Sequence, residues 1–154
     1  YLHCYNNTLS SLDVNIALRH LLCGNNQLDS LDLSQTLWIT YLNCGDNNIT
    51  SLDLSQNTDL TYLVCSANNL TNLDVRNGNN TNFSTFNSTN NSNLLCISVD
   101  DSVYSASNWT NIDSWTSFSA NCDIFGLLEI NVNIKTSLLI TLLALKLLVR
   151  IDFI

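Results

Sequence analysis

The sequence predicts a parallel β-solenoid, a chain wound into coils of about 21 residues, mostly strand and irregular backbone, with little helix outside its C-terminal region. Three observations predict it. Asparagines recur at Asn7, Asn26, Asn47 and Asn68, spaced 19, 21 and 21 residues. Around them the same apolar pattern returns, in YLHCYNNTLSSLDV, LRHLLCGNNQLDSLDL, ITYLNCGDNNITSLDL and LTYLVCSANNLTNLDV. Composition agrees: 154 residues hold 25 Asn and 28 Leu, with no Pro, no Met and four Gly, a bias typical of a short repeat and unlike collagen or Pro/Gly-rich disorder.

Each copy reads L-x-x-L-x-C-x-x-N-x-L and then x-x-L-D-L, the first copy beginning part-way through. Alternation around Leu63 and Cys65 predicts a short strand with both side chains inward. The chain then turns, and the asparagine enters the coil. There it can satisfy turn backbone groups that would otherwise cost roughly 1–3 kcal/mol each when buried unpaired. A second patch, Leu70, Leu73 and Val75 with its equivalents, forms the returning wall. A fifth, degenerate copy runs through Phe83, Phe86, Asn91, Leu94, Ile97 and Val99. Stacking these copies predicts an asparagine ladder of Asn7, Asn26, Asn47, Asn68 and Asn91. One repeat cannot bury its own apolar face, but a stack can.

On these motifs the chain resembles leucine-rich-repeat proteins, and more closely a bacterial variety with Cys in the consensus and L-D-L/V in the second half, common in secreted and surface proteins of Bacteroidetes-type bacteria. Asn93–Cys122 resembles the segment that closes such arrays. The resemblance covers about residues 1–122. It implies a curved, right-handed parallel β coil, a binding role and no catalytic residues.

Composition sets the boundaries. Residues 1–122 carry ten Asp against Arg19 and Arg76, whereas 123–154 is neutral and nearly free of Asn. The expected organisation is leucine-rich repeats over 1–99, a capping segment over 100–122 and an apolar tail over 123–154. For the tail three readings stand: a strand or helix packed on the array, a membrane association through 136–154, or an out-of-frame terminus. Its longest charge-free stretch is ten residues, against roughly twenty for a spanning helix. The chain begins at Tyr1 with no basic n-region, so the expectation is a piece of a longer protein or one already processed.

Cys4, Cys23, Cys44 and Cys65 share one repeat position. They are expected as a column of buried thiols acting as small apolar residues. Zinc binding and neighbour disulfides are the lesser readings. Cys96 aligns with Asn72, an outward position, and a disulfide to Cys122 would close a loop over the last rung, given an oxidising compartment; the rival reading is two unpaired surface thiols. Within that loop Trp109, Ile112, Trp115 and Phe118 recur at helical spacing and are expected to cover the apolar end of the coil.

The outward strand positions form columns on the concave side. One is Tyr1, His20, Tyr41, Tyr62 and Thr85; the next is His3, Leu22, Asn43, Val64 and Asn87; a third is Tyr5, Gly24, Gly45 and Ser66. Tyrosine gives rigid contact area with a polar tip, so the candidate ligand-binding residues are His20, Tyr41, Asn43, Tyr62 and Val64. The alternative is a ladder kept only for strand stacking. Asp13, Asp32, Asp53 and Asp74 form a column on the other wall, read as turn caps in preference to a calcium site.

A net charge of −8 and a pI near 4.2 argue against nucleic acid, which needs a basic face. His3 and His20 fall in different columns, and no phosphate loop, HExxH or GxSxG occurs. Neither a catalytic site, a metal nor a cofactor is expected. About eight N-x-S/T sequons accompany the Asn/Ser/Thr-rich repeat and matter only in a host that glycosylates. The expected function is a non-catalytic binding module of a secreted or cell-surface bacterial protein, recognising a protein or glycan. The alternatives are a structural repeat stalk and an accessory targeting region of a larger secreted enzyme.

Overall fold

The computed structural model describes residues 1–122. The chain divides into two compact units, Tyr1–Asn121 and Cys122–Ile154; the expectations for residues 123–154 lie outside the described residues. The first unit is a β-solenoid of parallel strands. Its first sheet is built from β1 (Leu2–His3), β2 (His20–Leu22), β3 (Tyr41–Asn43), β5 (Tyr62–Val64) and β7 (Thr85–Asn87), in that order. Its second sheet is β4 (Ser51–Asp53), β6 (Asn72–Asp74), β8 (Cys96–Ser98) and β9 (Ser117–Ser119).

Register follows the repeat. Leu2, Leu21, Leu42, Leu63 and Phe86 align in the first sheet, and Leu52, Leu73, Ile97 and Phe118 in the second. These inward rows meet between the sheets with Leu28, Ile49, Leu70 and Leu94 at the turn, all fully buried. The three-residue strands are short because each coil must turn again. Cohesion therefore comes from the stack, through bonds such as Cys23 N–H to Asn43 O, Cys44 N–H to Val64 O and Cys65 N–H to Asn87 O, each 2.9 Å.

The turn after each first-sheet strand carries a left-handed residue just before the ladder asparagine: Asn6, Asn25, Asp46, Ala67 and Asn90, with φ between 52° and 60°. Asn and Asp tolerate this region better than other side-chain-bearing residues, which accounts for the repeated N-N and D-N pairs. Ala67 lacks that tolerance.

The end of the array departs from expectation in two places. The helix lies at Ser102–Asn108 (α1), not over Trp109–Phe118. Asp101 starts it by accepting hydrogen bonds from the backbone N–H of Val103 and Tyr104, and Trp109 leaves it in an extended conformation. The i, i+3 spacing of the aromatics is thus carried by loop and strand. Trp109 is buried and stacks on Phe86 at 4.0 Å, with Phe83 and Phe118 against it. Ile112 packs on the same core, but Trp115 is 52% exposed. Cys96, next to Ile97 in the register with Leu73, is outward by alternation yet only 8% exposed. β9 pairs alongside it and its sulfur is disulfide-bonded, as is that of Cys122. That removes the reading of two free surface thiols; Cys4, Cys23, Cys44 and Cys65 are free. Among the described residues no helix is long and apolar enough to cross a membrane.

Candidate binding face

Outward side chains of the first sheet stand in columns because parallel register places each above its equivalent in the next coil. Tyr1, His20, Tyr41 and Tyr62 form one such column. Their ring centroids are 4.3 Å apart for Tyr1 and His20, 5.5 Å for His20 and Tyr41, and 3.8 Å for Tyr41 and Tyr62. The last pair is close to parallel, with planes 10° apart. Stacking leaves Tyr41 and Tyr62 half-buried, not fully exposed. Each ring covers one face of the other. Hydrogen bonding with Tyr62, followed by burial, pushes the Tyr41 phenol up to about 12.

The second column, His3, Leu22, Asn43 and Val64, runs beside it. Next to that lies a groove of about 470 Å³, floored by Gly24 and Gly45 and lined by His3, Tyr5, Leu22, Asn25, Asn43 and Asp46 among others. A side chain at either glycine would crowd the neighbouring coil. A Cβ on Gly24 would come within 3.1 Å of the Gly45 carbonyl oxygen and 3.2 Å of Asn43 Oδ1. One on Gly45 would come within 3.2 Å of the Ser66 carbonyl oxygen. Of the candidate residues His20, Tyr41, Asn43, Tyr62 and Val64, Asn43 alone lines the groove; the three rings belong to the adjacent ladder and Val64 lies one coil beyond the groove. Gly24 and Gly45 were legible as breaks in the Tyr5 column. Asn25 and Asp46 gave no signal beyond their place before the ladder asparagine.

The inward ladder supports this face from behind. Asn47 Nδ2 donates to the carbonyls of Cys23 and Cys44, 3.1 Å each, and its Oδ1 accepts from Leu28 N–H at 3.0 Å. Asn26, Asn68 and Asn91 repeat this arrangement one coil apart. The Asn7 side chain bonds only within its own turn, and the residue is exposed. A second buried polar column escaped the sequence reading: Thr36, Asn57, Asn77 and Asn80 follow the second-sheet segment. Asn57 Nδ2 donates to the Leu33 and Thr36 carbonyls, and Asn77 Nδ2 to that of Asn57. The S-Q-T, S-Q-N and R-N spacing after each L-D-L/V was its trace.

Three members of the acidic column, Asp32, Asp53 and Asp74, serve turns. Asp32 and Asp53 accept from the backbone N–H of Ser34 and Ser55, and Asp74 pairs with Arg76. The Ser34 hydrogen bonds hold the Asp32 carboxyl below its ordinary range. Burial raises Asp74, but hydrogen bonds and charge from Arg76 outweigh it and leave it lowered. No cluster of three or more metal-ligating side chains occurs among the described residues. Burial pushes the Cys23 and Cys65 thiols up to about 12 and Cys44 well above its usual value, so the column holds neutral thiols.

No protein-family model matches the chain, and no curated protein matches it. Among solved structures it is similar to the functional domain of InlJ from Listeria monocytogenes, which includes a cysteine ladder. The similarity covers 64% of this chain at 35% identity and a TM-score of 0.55. The chain spans about a quarter of that structure, 24% of its length. With the two parallel sheets, the repeat and the Cys4–Cys23–Cys44–Cys65 column, the likeness identifies the fold as a leucine-rich-repeat solenoid.

Proposed function

We propose that this leucine-rich-repeat solenoid is a non-catalytic binding module of an extracellular or cell-surface bacterial protein, and that it engages another protein through the outward face of its first sheet. The observation that carries the reading is the aromatic ladder Tyr1–His20–Tyr41–Tyr62 beside a glycine-floored groove. Rings flush with a strand column add contact area at little entropic cost, since their neighbours already hold them. A protein is favoured over a glycan because sugars stack on ring faces, and here Tyr41 and Tyr62 each cover one face of the other, which reduces the ring face open to a sugar. Disulfide-bonded Cys96 and Cys122 support an oxidising compartment.

The test is solid-phase binding of the chain to cell-surface protein fractions and to a glycan panel. Tyr41→Ala with Tyr62→Ala should weaken retention of the bound protein by at least about tenfold, as for anchor residues, with an unchanged circular dichroism spectrum. Asp32→Ala with Asp53→Ala, on the other sheet, should leave it intact. The opposite result would place binding on the wrong face. Retention of nothing on either panel would favour a repeat stalk.

A further inference from the structure

We propose that the groove between the first three coils takes an arginine side chain of the partner protein, presented on an extended segment. The inference rests on the binding reading above and names the chemistry of its partner.

The groove has a shape and a polarity. Gly24 and Gly45 leave its floor at backbone level, and Asn43 Oδ1, which accepts from Gly45 N–H at 3.2 Å, is held over that floor. Leu22 supplies the one aliphatic surface, and Tyr5, 52% exposed, an uncovered ring. On the turn side, Asn25 Nδ2 donates one of its hydrogens to Asn6 Oδ1 at 2.7 Å, and the Asn25 oxygen is an acceptor. Asp46 follows one coil on, at φ 56°, with a carboxylate that is exposed and makes no hydrogen bond among the described residues. The rim thus offers the side-chain oxygens of Asn25 and Asn43 and the Asp46 carboxylate, with the His3 imidazole also in the lining.

The lining contains no Lys or Arg; Asp46 is its carboxylate and His3 its imidazole. Residues 1–122 hold ten Asp against two Arg, and Arg76 is already paired with Asp74. A cation is the complementary occupant. A guanidinium fits better than an ammonium. It is planar, presents five donors to a spread of acceptors, is more weakly hydrated and stacks on a tyrosine ring. Its methylene stem would lie on Leu22 and the glycine floor. An extended segment suits a groove that crosses β1, β2 and β3, since alternate side chains of a strand point one way.

The probe is a fluorescein-labelled Gly-Arg-Gly-Arg-Gly-Arg peptide, with Lys and citrulline versions of the same length, titrated against the whole chain by fluorescence anisotropy at low and moderate salt. The expected order is Arg, then Lys, then citrulline. Asp46→Asn keeps a residue suited to the left-handed region, and should weaken the Arg peptide by about fivefold or more, the scale of a charge-assisted pair. Tyr5→Ala should weaken it about threefold, the scale of an exposed cation–π contact. Asp53→Asn, an equal charge change on the other sheet, should move it by less than about 1.5-fold. Equal losses from Asp46→Asn and Asp53→Asn would reduce the effect to overall charge and overturn the proposal. So would citrulline binding as well as arginine, or absence of binding by a chain that retains a protein partner; in that last case the binding-module reading stands and the arginine site falls.

Discussion

The Asn47 amide nitrogen lies 3.1 Å from the carbonyl oxygen of Cys23, one coil back, and 3.1 Å from that of Cys44 in its own coil. One side chain thereby ties two rungs, and its oxygen takes the Leu28 N–H as well. Asn47→Ala should strand these groups in a buried turn and lower stability by about 3 kcal/mol, toward the top of the range for unsatisfied buried groups. Asn7→Ala, at an exposed turn, should cost less than about 1 kcal/mol. Urea denaturation of both variants checks the contrast. Equal losses would mean that bridging between coils contributes nothing.

Ala67 holds φ 52° where the equivalent residues are Asn6, Asn25, Asp46 and Asn90. An L-residue with a Cβ is disfavoured there by roughly 1–2 kcal/mol, and asparagine recovers part of this. Ala67→Asn should raise stability by about 0.5–1 kcal/mol. A lower thermal midpoint would show that the turn at this rung is set by something other than backbone preference.

Ser88 stands where the cysteine column would continue, one residue after Asn87, the partner of Val64. It is buried, and its hydroxyl makes no hydrogen bond. Ser88→Cys replaces an unsatisfied hydroxyl with a weakly polar thiol and should stabilise by about 1 kcal/mol. A loss of stability would indicate that the coil at Phe86 is too tight for sulfur.

The thiol column makes the fold sensitive to alkali. Cys23 and Cys65 are raised by burial from about 9 to about 12. Between those values the unfolded chain has released protons that the native chain retains, so stability falls as pH rises. Below about 9 the contribution is fully present. Within the window each thiol should cost about 1.4 kcal/mol per pH unit. Urea midpoints from pH 8 to 11 measure the slope. Cys65→Val should flatten it while Tyr41, shifted in the same direction, stays in place. An unchanged slope would assign the alkaline loss to other groups.

Periodicity alone determined the coil, the row of asparagines, the row of thiols and the aromatic column. In a parallel stack, residues about 21 apart lie above one another, and alternation decides which point inward. The sequence could not place what lacks a repeating partner. The helix at Ser102–Asn108 starts from the single cap Asp101, and the spacing of Trp109, Ile112, Trp115 and Phe118 imitated a helix that the backbone does not form. Exposure also depends on neighbours. Cys96 is outward by alternation and buried by β9, and the Tyr41 and Tyr62 rings are half-covered by each other. The groove exists only because Gly24 and Gly45 fall side by side while Asn25 and Asp46 turn left-handed at its rim. Gly24-Asn25 and Gly45-Asp46 fill the same two positions of adjacent repeats, so the sequence aligns them, but only the stacking of their two coils brings the four to one surface.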